Sequence, residues 1–156
     1  MQMTPDKKKN KLYIVVPCYN EEQVLGETSK RLKIKCENLI QKGQISKDSK
    51  IVFVDDGSKD RTWKMISELH ETDSLFSGVK LSRNRGHQNA LLAGLTMASE
   101  HADMAISMDA DLQDDINAVD QMIEKYYEGC DIVYGVRSAR ETDTFFKRFT
   151  AEAFYK

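Results

Sequence analysis

The sequence predicts an α/β fold of three layers, α/β/α, around a mostly parallel sheet. Two observations carry this. Short apolar runs rich in β-branched residues alternate five times with longer segments whose apolar residues recur every three or four positions. Each run also ends in a polar stretch before the next segment begins, the pattern of strand, loop and crossover helix. "LYIVVP" reads as the first buried strand, closed by Pro17. Leu25, Thr28, Leu32, Cys36 and Leu39 then mark one face of a helix that breaks at Gly43. "KIVFVDD" is the second strand, and "DRTWKMISELH" the second helix, with Trp63, Ile66 and Leu69 on one side. "GVKLS" is a shorter strand. "QNALLAGLTMASE" follows as a helix of strong formers, with Leu91, Leu92 and Leu95 expected inward. "MAISMD" makes the fourth strand. A helix is expected from Ile116 to Glu128 with Val119, Ile123 and Tyr126 or Tyr127 on its face, ended by Gly129, and "DIVYGVR" is expected as a fifth strand.

The 156 residues suit one domain with a single core. Residues 1–10 read as a disordered tail, 11–140 as the folded unit, and 141–156 as the start of a further segment. With 31% charged residues and a net charge of -2, the chain has no basic excess for nucleic acid. Cys18, Cys36 and Cys130 are odd in number and far apart, which fits neither a disulfide framework nor a zinc cluster and suggests reduced thiols in the cytoplasm. No stretch reaches the roughly 18–20 apolar residues of a membrane span, and no signal peptide is expected at "MQMTPDKKKNK".

Parallel sheets of this kind bind ligands at the carboxyl ends of their strands, beside a switch in strand order. Those ends read "PCYNEE", "VDDGSKD", "LSRNRGHQ", "MDADLQDD" and "GVRSAR". If the fourth strand continues for two residues, Asp109 and Asp111 point to one side and Ala110 to the other. Two such carboxylates suit Mg²⁺ or Mn²⁺, with water and substrate phosphate completing the shell. Asp114 and Asp115 are better explained as caps of the next helix. In "VDDGSKDRT", Gly57 permits a tight turn and Ser58 or Asp60 caps the helix. That leaves Asp55 or Asp56 to accept from the ring N–H of uracil or guanine. Pro17 fixes the exit of the first strand, Tyr19 offers a flat face to a base, and Glu21 or Glu22 offers oxygens to a ribose. Arg83, Arg85 and Arg137 bring forked positive charge suited to phosphate. The spacing of His70, His87 and His101 is not that of metal ligands; only His87 lies near the expected site.

Together these stretches resemble the family 2 glycosyltransferases, which have the Rossmann-like, nucleotide-binding GT-A fold. "VVPCYNEE" and "FVDDGSKDRT" are similar to the family's nucleotide loops, and "MDADLQDD" to its D-x-D metal motif. "LSRNRGHQNALLAGL" and "GVRSAR" fit the branch that moves sugars onto polyprenyl phosphates, the dolichyl-phosphate mannosyltransferase and bactoprenol glucosyltransferase type. Arg85 stands where that branch often has an aromatic residue. The resemblance covers about residues 11–140. It implies Pro17, Tyr19, Glu21 and Asp55 on the nucleotide, with Asp109, Asp111 and Gln113 at a Mg²⁺ or Mn²⁺ ion. It places Arg137 and Arg140 at the acceptor phosphate or the diphosphate. Asp56, Arg83 and Asp109 join the expected nucleotide contacts, and Asp109, Asp111 and Arg137 the catalytic set.

The implied activity is inverting sugar transfer from a UDP- or GDP-sugar to a polyprenyl phosphate in cell-wall biogenesis, at the cytoplasmic face of a membrane. A phosphate acceptor, whose second pKa is about 6, needs no strong base, whereas a saccharide hydroxyl would. No side chain clearly volunteers as that base, which favours the phosphate and leaves the saccharide as the alternative. Members of the family run longer, so the chain is expected to be an amino-terminal fragment, soluble in the cytoplasm. Phe145, Phe146, Phe149 and Phe154 beside Lys147 and Arg148 suit either an interfacial helix on a membrane or packing against a further part of the core. Readings of other classes are a phospho-acceptor receiver-like domain, an aspartate-nucleophile phosphatase, and a nucleotide-sugar-binding module without activity. The paired aspartates follow the second strand, no lysine follows the fifth, and Gln113 stands where the phosphatase loop has threonine, all against the first two.

Overall fold

The computed structural model describes residues 9–136. Arg137, Arg140, residues 1–8 of the expected tail and all of 141–156 lie outside the described residues. The elements alternate as β1 (Leu12–Cys18), α1 (Leu25–Gln41), β2 (Lys50–Asp55), α2 (Thr62–Thr72), β3 (Phe76–Lys80), α3 (His87–His101), β4 (Met104–Ser107) and α4 (Ala118–Tyr127).

The strands form one sheet in the order β3-β2-β1-β4, every neighbouring pair parallel. Ile14 of β1 sits level with Ile51 of β2 and Ile106 of β4, which fixes the register. All of β1 is buried because it has neighbours on both edges and helices on both faces. Its alternate residues divide between two cores. Leu12, Ile14 and Val16 pack with Leu25, Leu32, Leu39, Ile66, Val119 and Ile123 of α1, α2 and α4. Tyr13 and Val15 pack with Val52, Val54, Ala90 and Ala98 beneath α3. The crossover through α3 runs back from β3 to β4, opposite in direction to the first two. A right-handed connection running that way must use the other face.

Three expectations need correction. Leu92 does not face inward: it is 62% exposed. The buried face of α3 is Ala90, Gly94 and Ala98, with Leu91 and Leu95 half-buried beside it. A Cβ on Gly94 would fall 2.4 Å from Val15 Cγ1 and 2.8 Å from Val54 Cγ2, so α3 lies too close to the sheet for large side chains. Second, residues 131–136 do not form the fifth strand; Ile132, Tyr134 and Val136 are 71%, 82% and 84% exposed. Their alternation is real, but a strand also needs the hydrogen bonds of a neighbour. Third, β4 stops at Ser107, so strand geometry does not continue through Asp109 and Asp111. Leu112 instead takes a left-handed φ of 59°.

Candidate active site

The chain leaves β1 toward β2 and β3 and then returns to β4 on the other side of β1. The strand order thus reverses between β1 and β4, and the crevice at the strands' carboxyl ends beside that reversal is where such sheets bind ligands. Two adjoining hollows of about 200 Å³ each occupy it. One is walled by Pro17, Cys18, Tyr19, Glu21, Asp56 and the loop before α3. The other is walled by Pro17, Ser107, Met108, Asp109 and Asp114. Pro17 and His87 belong to both. Together they approach the size of pockets that hold drug-sized ligands, roughly 300–1,000 Å³.

The first wall is held by a lattice of backbone N–H groups between two loops. Asn20 N–H donates to Ser58 Oγ (2.9 Å), and Lys59 N–H returns a bond to Asn20 Oδ1 (2.8 Å). Glu22 N–H donates to Asp60 Oδ2 (3.1 Å), and Arg61 N–H to Glu22 Oε2 (3.0 Å). Asn20 adopts a φ of 55°, a left-handed conformation that asparagine tolerates. Ser58 therefore serves the neighbouring loop and does not cap α2. Asp60 does both, since its Oδ1 accepts from Thr62 N–H at 2.9 Å. Glu22 is occupied by this lattice. The Glu21 carboxylate accepts no hydrogen bond among the described residues and remains available to a ligand.

The two aspartates that end β2 differ sharply. Asp56 is buried, and its carboxylate accepts Arg85 N–H (2.7 Å) and Gly86 N–H (3.0 Å), while its own N–H donates to Cys18 O (2.8 Å). Both oxygens thus hold the loop that enters α3. Asp56 lines the first hollow, but its oxygens are committed to the protein. Asp55 is fully buried; Oδ1 accepts Ser58 N–H at 3.3 Å, and Oδ2 has no partner among the described residues. It reaches neither hollow. Gly57 allows the turn that follows the two aspartates, with a φ of 71°.

After β4 the chain folds into a compact acidic turn. Met108 N–H donates to Val15 O (3.0 Å), Ala110 is buried, and Asp109 and Asp111 are exposed. Asp109 and Asp111 thus lie on the exposed side and Ala110 on the buried one, and Asp109 lines a hollow while Asp111 does not. Thr28 of α1 reaches across, and its single hydroxyl proton favours Ala110 O at 2.6 Å over Val24 O at 3.1 Å. Asp111 Oδ1 accepts Gln113 N–H (3.1 Å). Asp115 Oδ1 accepts Asn117 N–H (2.9 Å) just before α4, as a cap would. Asp114 turns back instead, accepting Asp109 N–H at 3.1 Å.

Electrostatics tie the two walls together. The Glu21 carboxyl is raised above its ordinary range by burial and then by the negative charges of Asp111, Asp60 and Asp109. Carboxylates from the β1, β2 and β4 loops therefore share one region. His87 Nε2 lies 3.9 Å from Asp109 Oδ1. Burial, aided by Glu21 and Asp55, pushes the Cys18 thiol far up, so it stays protonated and apolar. Among the described residues, no group of three or more His, Cys, Asp or Glu side chains forms a metal cage.

The structure brings Pro17, Tyr19, Glu21, Asp56 and Asp109 to the hollows. Arg83, Arg85, Asp111 and Gln113 are exposed and line neither. Asn84, Ser107 and Thr28 belong to the site's frame and had no distinguishing pattern in sequence; only their places near strand and helix ends hinted at them.

The chain is similar to known proteins in sequence and in fold. The family model described as "Glycosyl transferase family 2" matches residues 13–155. An uncharacterized glycosyltransferase, YkoT of Bacillus subtilis (strain 168), is 56% identical over 145 residues, 93% of this chain and 43% of the relative. A prophage bactoprenol glucosyl transferase homolog of Escherichia coli (strain K12) is 41% identical over 146 residues, 94% of this chain and 45% of the relative. The chain thus spans less than half the length of these relatives. Among solved structures, TarS of S. aureus in complex with UDP-GlcNAc matches with a TM-score of 0.56 and 20% identity, over 88% of this chain and 38% of that one. A mannosyltransferase from Pyrobaculum calidifontis in complex with GDP-Man and Mn²⁺ matches with a TM-score of 0.54 and 22% identity, over 67% and 28%. These two likenesses concern the fold.

Proposed function

The chain belongs to glycosyl transferase family 2, and from that premise we propose that it forms the donor-binding part of an enzyme that moves a sugar from a UDP- or GDP-sugar to a polyprenyl phosphate, inverting the anomeric carbon. The observation that carries the proposal is the pair of adjoining hollows at the β1/β4 switch point, with carboxylates of three loops around one region. Tyr19, 41% exposed, offers its ring to the base. Glu21 accepts from the ribose. Asp55, which lines neither hollow, is the proposed acceptor for a base N–H through Oδ2, a buried oxygen without a partner among the described residues.

A hard divalent cation fits the residues present only as a shared ion. Asp109 and Asp111 supply two carboxylates, Gln113 an amide oxygen, and the donor's diphosphate must supply the rest. When bound, Mg²⁺ or Mn²⁺ neutralises the negative charge that develops as the sugar leaves. The chain's own residues do the positioning. Thr28 fixes the acidic turn through Ala110 O, the lattice of residues 20–22 and 58–62 fixes the base side, and Asp56 fixes the entrance to α3. Arg137 and Arg140 remain the proposed contacts to the acceptor phosphate. In support of that acceptor, a relative is named for bactoprenol glucosyl transfer, and a phosphate monoester attacks without a strong base. Because polyprenyl phosphates are membrane-borne, the whole protein would work at a membrane surface. A saccharide hydroxyl is the second acceptor.

Calorimetry with UDP, GDP and their sugars, with and without Mn²⁺, tests the donor half. One nucleotide is expected to bind, more tightly with Mn²⁺; binding of neither would overturn the proposal. Supplying the whole protein with polyprenyl phosphate or a free saccharide then distinguishes the acceptors.

A further inference from the structure

We propose that His87 contacts the diphosphate of the donor, between the hollow that takes the nucleoside and the carboxylates of Asp109 and Asp111. The inference rests on the donor reading above and adds a residue to it.

A ligand spanning both hollows must pass the residues common to them. There are two, Pro17 and His87, and proline has no side-chain hydrogen-bonding group. The imidazole is thus the polar group at the junction. It makes no hydrogen bond among the described residues: the carboxylate it faces, Asp109 Oδ1, is 3.9 Å from Nε2, too far for one. The side chain is half exposed, so a ligand can reach it.

Its position is held firmly. Asp56 grips the N–H groups of Arg85 and Gly86, the two residues before His87. Behind it, α3 is pressed onto β1 and β2 through Ala90, Gly94 and Ala98, so the first turn has little room to drift. The chemistry demands a donor there. A diphosphate next to Asp109 and Asp111 is repelled by them wherever the cation does not intervene. An imidazole donates at least one N–H in either charge state, so this role does not depend on its protonation. A residue that only filled space would not need to be polar.

The test measures dissociation constants of His87→Ala and His87→Asn against the unaltered chain for three probes: the nucleoside diphosphate it binds, the corresponding nucleoside, and Mn²⁺ alone. The alanine variant is expected to bind the diphosphate roughly five- to tenfold more weakly, with nucleoside and Mn²⁺ affinities and the melting midpoint unchanged. Asparagine, which keeps an N–H donor, should recover part of the loss. Diphosphate affinity within twofold of the unaltered chain would overturn the inference. So would an equal loss for the nucleoside, which would mean that His87 supports the fold or the base, and so would a fall in Mn²⁺ affinity, which would make it a metal ligand. If the unaltered chain bound no nucleotide at all, the proposed function would fail instead, so the two failures are distinguishable.

Discussion

Replacing Gly57 by alanine sets a side chain against backbone that has no freedom to yield. The added Cβ would lie 2.5 Å from Asn84 N, 2.6 Å from Arg83 C and 2.9 Å from Arg83 Cα. None of these is the movable end of a side chain, and Asp56 holds the residues that follow. The φ of 71° adds a conformational cost of about 1–2 kcal/mol for any L side chain. Overpacking contributes about 1–3 kcal/mol, and alanine's stiffening of the unfolded chain returns about 0.4–1 kcal/mol. The net loss, about 1–4.6 kcal/mol, lowers the melting midpoint by roughly 2–18 °C for a chain of this size. Differential scanning calorimetry of Gly57→Ala beside Gly26→Ala measures it. Gly26 lies in α1, where a Cβ meets nothing within 4 Å, so its variant should melt at the same temperature or slightly higher. If Gly57→Ala fell by less than about 2 °C, or no further than the control, the packing of this loop against residues 83–84 would be wrong.

Thr28→Val keeps the shape of a buried residue but leaves Ala110 O without its donor; about 1–3 kcal/mol of stability should be lost in denaturant titration. Asp56→Ala frees the N–H of Arg85 and leaves that of Gly86 only its bond to Asn84 Oδ1 (3.0 Å); it should cost about 1–3 kcal/mol and speed amide exchange most at Arg85. Glu21 has a folded-state pKa raised above its unfolded value, so its ionisation burdens the fold. That burden is absent at low pH, where both states are protonated, and grows as pH rises past the unfolded value. In EDTA, Glu21→Gln should therefore raise the melting midpoint at pH 7 and leave it unchanged near pH 3; equal gains at both would contradict the assigned cause.

Periodicity made most of the fold readable. β1 and β2 are continuous apolar runs because both faces are covered, and α1 shows its buried stripe directly in Leu25, Leu32, Cys36 and Leu39. α3 misled in part because its tightest contact with the sheet is made by small residues; Leu91 and Leu95 do pack beside them, but Leu92 looked like the core only because large apolar side chains usually are. The region 131–136 misled because alternation describes one strand while a sheet requires two. At the site, strand-end position alone drew attention to Pro17, Tyr19, Glu21 and Asp109. What could not be read was which polar group serves the protein and which is left for a ligand. Asp55 and Asp56 are adjacent and chemically identical, yet Asp56 spends both oxygens on Arg85 and Gly86 while Asp55 Oδ2 has no partner among the described residues. Ser58, Asp60 and Glu22 were divided likewise by contacts between residues about 40 apart in the chain, beyond any local pattern.

The central claim is that Asp109 and Asp111 hold a hard cation jointly with the donor's phosphates. Titrating the nucleoside diphosphate into the chain carrying both Asp109→Asn and Asp111→Asn, with Mn²⁺ and then with EDTA, tests it most directly. The account predicts that Mn²⁺ no longer tightens binding while the metal-independent affinity persists; a tightening as large as in the unaltered chain would contradict it.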